Sequence, residues 1–241
     1  MRSCWVGLLL VGVVGSASLP PYLKPCVRTD PNFNACALEH GNEAIPGLLR
    51  GDKKYQIPNL NPLNFDQIKV AQSGLTLTFK DVKIFGLDQA QLENIDMDFD
   101  KQHFALWFNM PLLNLLAKYD IKGRLLVLPI TGNGDSNITL VNNKFKFDVD
   151  FTKEDIKGNV HAVLKNPAAN LTPGRMYVHL DNLFGGDNLL GTETNNFLNE
   201  NWLEVFKDVG PSITEAIAQL LGKIINNISA HFPYDDLFPE K

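Results

Sequence analysis

Residues 199–231 read NENWLEVFKDVGPSITEAIAQLLGKIINNISAH. Apolar side chains fall at Trp202, Leu203, Val205, Phe206, Val209, Ile213, Ala216, Ile217, Leu220, Leu221, Ile224, Ile225 and Ile228. The gaps are mostly ones, threes and fours, the period of an α-helix with a wide apolar face. A polar stripe runs Asp208, Ser212, Glu215, Gln219, Lys223 and Asn226 or Asn227. At 1.5 Å per residue such a helix is roughly 50 Å long. Pro211 predicts a kink or a join between two segments. Polar residues every few positions exclude a membrane span.

So wide an apolar face needs a partner, and the chain upstream supplies one. From Gln67 to Leu183 the period changes to two. Leu75, Leu77 and Phe79 alternate with polar residues, as do Ile95, Met97 and Phe99, and Phe104, Leu106 and Phe108. Leu115, Ala117, Tyr119 and Ile121 form another set, then Phe145, Phe147, Val149 and Phe151, then Met176, Val178 and Leu180. These are strands with one dry and one wet face, as in an antiparallel sheet. Gly132-Asn-Gly-Asp135 and Asn142-Asn143 read as turns between them. A short helix over Ala35–Leu49, interrupted at Pro46, precedes the strands. The predicted fold class is α+β: a strongly curved antiparallel sheet wrapped around one long C-terminal helix.

The N-terminus adds a compartment. Arg2 precedes an apolar run, Trp5 to Val14, and the small residues Gly15-Ser-Ala-Ser18. This predicts a cleaved signal peptide over 1–18 and one domain over 19–241. Cys26 and Cys36 then remain, flanking a turn-rich segment, and in an oxidising compartment they are expected to form a local disulfide. Sequons at Asn137, Asn170 and Asn227 mark glycosylation candidates, the first two in expected surface loops. The net charge of −5 from 22 Lys+Arg and 27 Asp+Glu argues against nucleic-acid and anionic-membrane partners.

No catalytic, metal or cofactor site is assigned. The serines after residue 18 are Ser73, Ser136, Ser212 and Ser229, none in a G-x-S-x-G elbow. The histidines are scattered, with His161 and His179 expected on the wet face of the sheet. Asp96, Asp98 and Asp100 share a strand face that is expected to be solvated opposite lysines such as Lys144 and Lys146. Gly132-Asn-Gly134 lacks the third glycine and following helix of a nucleotide loop.

Four stretches together carry a resemblance across essentially the whole chain after the leader. They are the Cys26…Cys36 pair, Tyr119-Asp-Ile-Lys-Gly-Arg-Leu-Leu-Val-Leu-Pro-Ile-Thr-Gly-Asn-Gly-Asp135, Phe197-Leu-Asn-Glu-Asn-Trp-Leu-Glu-Val-Phe206 and Phe232-Pro-Tyr-Asp-Asp-Leu-Phe-Pro239. The chain resembles the insect takeout and haemolymph juvenile-hormone-binding proteins. The resemblance implies a tubular lipid-binding super-roll around an apolar tunnel, and a secreted carrier of a small elongated hydrophobic ligand with circadian, feeding or chemosensory roles. Juvenile-hormone carriers proper have a second cysteine pair, absent here, so the takeout branch fits better and fatty-acid-like or terpenoid ligands are expected. Candidate tunnel residues, taken from periodicity, are Leu115, Ala117, Tyr119, Ile121, Phe145, Phe147, Ile213, Ile217, Leu220 and Ile224. The same residues would serve as helix–sheet packing. The chain is expected to be a monomer in haemolymph or another extracellular fluid, without stable membrane insertion. The alternative is an extracellular module of the same fold that docks on lipid surfaces or proteins.

Overall fold

Two very long strands carry the architecture of the computed structural model, which describes residues 19–72 and 74–241. The expected leader over 1–18 lies outside the described residues, as does Ser73. Strand β4 spans His103–Leu125 and β5 spans Leu128–Ile156, and they pair antiparallel from Leu125↔Leu128 out to His103↔Asp150. At about 3.3 Å per residue, strands of this length cannot stay flat, and the twist of each rolls the sheet. Strands β2 (Leu75–Phe85) and β3 (Gln91–Asp98) share the other edge of β4 end to end. Strands β6 (Asn159–Thr172) and β7 (Arg175–Leu180) share the other edge of β5 in the same way. Strand β1 (Leu63–Gln72) pairs with β2. The sheet runs β1-β2-β4-β5-β6 without closing into a barrel.

Helices fill the opening. The first, α1 (Phe33–Leu49), lies on β3 and continues through Pro46 rather than breaking there. Helix α2 (Asn188–Glu200) lies on β7, with Asp187 as its N-cap, its carboxylate accepting from Leu190 N–H. The long helix α3 (Trp202–Ser229) packs on β6, β1 and β7 and so bridges the two sides of the rolled sheet. It runs unbroken through Pro211. A one-turn helix, α4 (Tyr234–Leu237), follows.

Helix asparagines close the strand edges by imitating a neighbouring strand. Asn42 of α1 accepts from Leu92 N–H and donates to Leu92 C=O, at 3.0 and 2.9 Å. Asn195 of α2 holds Leu180 the same way at 2.9 and 3.0 Å, and Asn199 holds Val178 at 2.9 and 2.7 Å. Asn226 of α3 accepts from Leu164 N–H at 2.7 Å and donates to its C=O at 3.4 Å. An unpaired strand edge is otherwise a template for another chain, and a buried unpaired backbone group costs about 1–3 kcal/mol.

On α3, Gly210, Thr214, Ala218 and Gly222 are buried and four residues apart, forming one ridge of small side chains. Gly222 faces Pro167 of β6 so closely that a Cβ would lie 3.0 Å from the ring. The ridge therefore meets β6 at Gly222, and beside Thr214 and Ala218 an open groove of about 590 Å³ runs between α3 and residues 167–173. The solvent stripe is Lys207, Pro211, Glu215, Gln219 and Lys223. The sequence reading of that stripe is right at Glu215, Gln219 and Lys223 and one residue late at Asp208 and Ser212, which are half-buried.

Several expectations are corrected. Gly132-Asn-Gly-Asp135 is no hairpin but the middle of β5, and the turn lies at Leu126-Val127. Its glycines admit close backbone: a Cβ on Gly132 would lie 3.0 Å from Leu183 Cα, and one on Gly134 2.6 Å from Asp181 O. Asn142-Asn143 is also inside β5, where Asn142 adopts φ +54° and the ladder is irregular. Asn143 is fully buried and donates to Met110 and Leu140 carbonyls. His161 is not on the wet face: it is 7% exposed, and its Nδ1 donates to Ser229 C=O at 2.7 Å. His179 is exposed as expected, beside Asp181. Asn137 and Asn170 are exposed but lie on β5 and β6 rather than in loops. Asp98 pairs with Lys101, whereas Lys144 pairs with Glu93 and Lys146 with Asp148.

Candidate functional site

On the side of α3 away from that groove, three chambers follow one another along the helix. The outer chamber is about 350 Å³ and lies between α1, β3, the start of β4 and the end of α3, with Ile225, Ile228 and Ser229 in its wall. The middle chamber, about 180 Å³, is walled by Leu63, Ile84, Met110, Phe145, Leu220, Leu221 and Ile224 among others. The inner chamber, about 50 Å³, lies against Leu115, Ile138, Met176, Phe206, Gly210 and Ile213. The outer and middle chambers share Ile45, Leu48 and Phe108; the middle and inner share Ile84, Leu113, Leu171 and Ile217. The lumen thus tapers along α3 from Ile228 to Val209, roughly 28 Å at 1.5 Å per residue.

Of the candidate residues named from sequence, the structure gathers Leu115, Phe145, Ile213, Ile217, Leu220 and Ile224 around the middle and inner chambers. Ala117, Tyr119, Ile121 and Phe147 line none of the three and lie in the packed core. Tyr119 donates its hydroxyl to Asp181 C=O at 2.6 Å, and burial, with the nearby Asp181, pushes its pKa up to about 12. Periodicity missed the walls contributed by α1 and β1 and by Phe108, Met110, Leu113 and Leu171.

The lining is chemically plain. Among the described residues, no polar side chain lines the middle or inner chamber. In the outer chamber, among the described residues, only Lys24 and Ser229 bring polar side chains to the wall. Lys24 Nζ sits 2.7 Å from Glu43, and that hydrogen bond holds the Glu43 carboxyl below its ordinary value.

The wide end is framed by the two chain termini. Cys26 and Cys36 are bonded, and the bridged segment carries Arg28. Arg28 donates to Asp235 at 2.6 Å and to the Phe238 carbonyl and Glu240 at 2.5 Å, and its N–H donates to Pro239 C=O at 2.8 Å. Its guanidinium also lies over the Tyr234 ring, 5.2 Å from the centroid. Phe238, pinned in this way, packs on Phe33, Phe99 and Tyr234 and walls the outer chamber. His40 Nδ1 lies 3.3 Å from Cys26 Sγ, yet the bridged sulfurs have no thiolate to offer a metal.

An open antiparallel roll, plugged along its seam by one long helix and hollow along an apolar axis, defines a tubular α+β protein. The model for the haemolymph juvenile hormone binding protein family matches residues 4–239, and the chain belongs to that family. It is 29% identical to the circadian clock-controlled protein daywake of Drosophila melanogaster over 256 aligned positions, covering 98% of this chain and 96% of the relative. Daywake of Drosophila yakuba is 26% identical, with 97% and 95% covered. Among solved structures, Takeout 1 of Epiphyas postvittana superposes with a TM-score of 0.82 at 27% identity, covering 90% of this chain and all of the other.

Proposed function

We propose that the protein is a secreted, monomeric, non-enzymatic carrier that encloses one small elongated hydrophobic ligand, fatty-acid-like or terpenoid, in the tapering lumen. The observation that carries this reading is the run of three contiguous chambers whose inner two have purely apolar walls. Interiors normally pack to the density of organic crystals, so an apolar void of this length is a place for a guest. The family's description names a hormone-binding protein, and the Drosophila relatives are described as clock-controlled, which supports a circadian role. Secretion with cleavage after the leader fits the Cys26–Cys36 bridge. Asn137 and Asn170 are exposed and suit glycosylation, whereas Asn227 lies half-buried in α3 with Ser229 of its sequon buried.

The test is extraction followed by refilling. Organic extract of protein taken from its native fluid should contain one lipid species near one per chain. The delipidated protein should then bind a fluorescent lipid at one site, with little dependence on salt, because few charges face the lumen. An extract without lipid, together with no saturable uptake of the probe, would leave a hollow core and no carrier.

A further inference from the structure

We infer that Ile217, with Ile84, Leu113 and Leu171 completing a ring around the lumen, admits only an unbranched chain end to the inner chamber, whose far wall then limits the longest chain the tunnel accepts. This rests on the carrier reading above. The four residues are those that wall both the middle and the inner chamber, so any ligand atom reaching the inner chamber passes between them. They come from α3, β2, β4 and β6, which encircle the lumen. The ring is stiff on the helix side, since a β-branched side chain in a helix has essentially one χ1 rotamer.

Beyond the ring there is little room. The inner chamber of about 50 Å³ compares with about 180 Å³ in the middle and about 350 Å³ outside. One water needs roughly 10–15 Å³ on this measure, so the inner chamber takes only a few carbon atoms. Its end is fixed. The Phe206 ring lies across Gly210, where a Cβ would come within 2.8 Å of it, and Met176, 2% exposed, backs the far wall. A ligand of matching shape is wide toward the disulfide end and slender at its inner tip. A methyl-branched terminus stops at the ring, and a straight alkyl end passes.

The experiment is displacement of a fluorescent lipid from the delipidated chain by straight alkanols of increasing length, beside alkanols carrying a terminal methyl branch. Wild type should gain about fourfold in affinity per methylene, then stop gaining at a definite length, and the branched series should stop earlier. Ile217→Ala should leave the straight-chain break where it is and bring the branched break out to meet it, and Ile217→Phe should close the ring and shorten the straight-chain break, with short alkanols bound as by wild type. Ile217→Val, a mild change that keeps the fold, should admit the branched tip. Leu48→Ala, where the outer and middle chambers meet, should leave both breaks where they are. The inference is overturned if the gap between the straight and branched breaks is the same in wild type, Ile217→Ala and Ile217→Val, or if Leu48→Ala closes it equally. Failure of wild type to bind any alkanol would instead remove the carrier reading on which it rests.

Discussion

Replacing Asn199 with Leu tests whether the helix asparagines hold the roll together. The substitution keeps the γ-branched four-atom side-chain skeleton and raises helix propensity by a few tenths of a kcal/mol, a gain that an Asn→Leu control on the same helix shares, but removes both amide groups. Val178, 7% exposed, would lose the partner of its N–H at 2.9 Å and of its C=O at 2.7 Å. Each unpaired buried backbone group costs about 1–3 kcal/mol, so the pair should cost about 2–5 kcal/mol, allowing for partial access of water at the edge. For a domain of this size that is a fall in Tm of roughly 5–15 °C. The control is Asn196→Leu, on the exposed side of the same helix, which should lie within about 0.5 kcal/mol of wild type. Urea unfolding supplies the free energies, and an unchanged m-value would show that the same surface unfolds. Hydrogen exchange adds a local readout, because the Val178 and Leu180 amides should lose protection while those of central β4 keep theirs. If Asn199→Leu matches Asn196→Leu in stability and in Val178 exchange, the clamps are incidental contacts and the edges are held by apolar packing alone.

Two further outcomes follow from the same coordinates. Glu43, Asp98, Asp150 and Glu154 are held below their ordinary carboxyl values by hydrogen bonds from Lys24, Lys101, His103 and Lys165. Depressed carboxyl values stabilise the fold above about pH 4 and lose that contribution as pH falls through the lowered values, so Tm should be flat from neutrality to about pH 5 and drop below pH 4. A loss beginning near pH 6.5 would point to the histidines instead. Ala117→Phe should overpack solid core, costing about 1–3 kcal/mol, and leave the longest bound chain unchanged, since Ala117 is 6% exposed and walls none of the chambers; shortening of that chain would place Ala117 in the lumen after all.

The periods of two and of three to four were enough to read a curved sheet around a long helix, because burial on one face is imposed residue by residue. What they could not reveal were the irregularities. On β4 the inward set runs Phe104, Leu106, Phe108, Met110 and then Leu113, Leu115, slipping by one opposite Asn142 and Asn143. The slip made one strand look like two and two mid-strand asparagines look like a turn. The middle chamber lies at this slip, so the residues around it, Met110 and Leu113, were the ones that periodicity could not assign. Glycines misled for a related reason. Gly132 and Gly134 exist for tertiary approach of Leu183 and Asp181, contacts made with residues some fifty positions away. The asparagine clamps were equally hidden, since Asn42, Asn195, Asn199 and Asn226 look like ordinary polar helix positions until the strand edge beside them is known. The candidate tunnel residues divide in the same way. Leu115 and Ile121 share a strand face, but only Leu115 lies where the helix stands off from the sheet.

That stand-off has a specific cause, which one substitution isolates. Along α3, Thr214, Ala218 and Gly222 form a ridge of small residues toward β6, while Gly210, Ile213, Ile217, Leu220, Leu221 and Ile224 face the chambers. The helix reaches β6 at Gly222, which has no side chain to keep it off Pro167. Gly222→Leu would place a side chain where even a Cβ meets Pro167 at 3.0 Å. The proline ring is rigid and sits in a strand, so the helix has to give way toward the lumen. Overpacking of this kind costs about 1–3 kcal/mol, and replacing Gly inside a helix returns up to about 1 kcal/mol, so the protein should still fold. Its middle chamber should shrink as Leu221 and Ile224 move inward, and its outer chamber as Ile225 does. The expected result is a folded protein, melting cooperatively, that has lost most of its uptake of a fluorescent lipid. Gly222→Ala should show a smaller loss in the same direction. If Gly222→Leu folds and takes up the lipid as wild type does, the lumen does not depend on the position of α3, and its volume has to come from the curvature of the sheet.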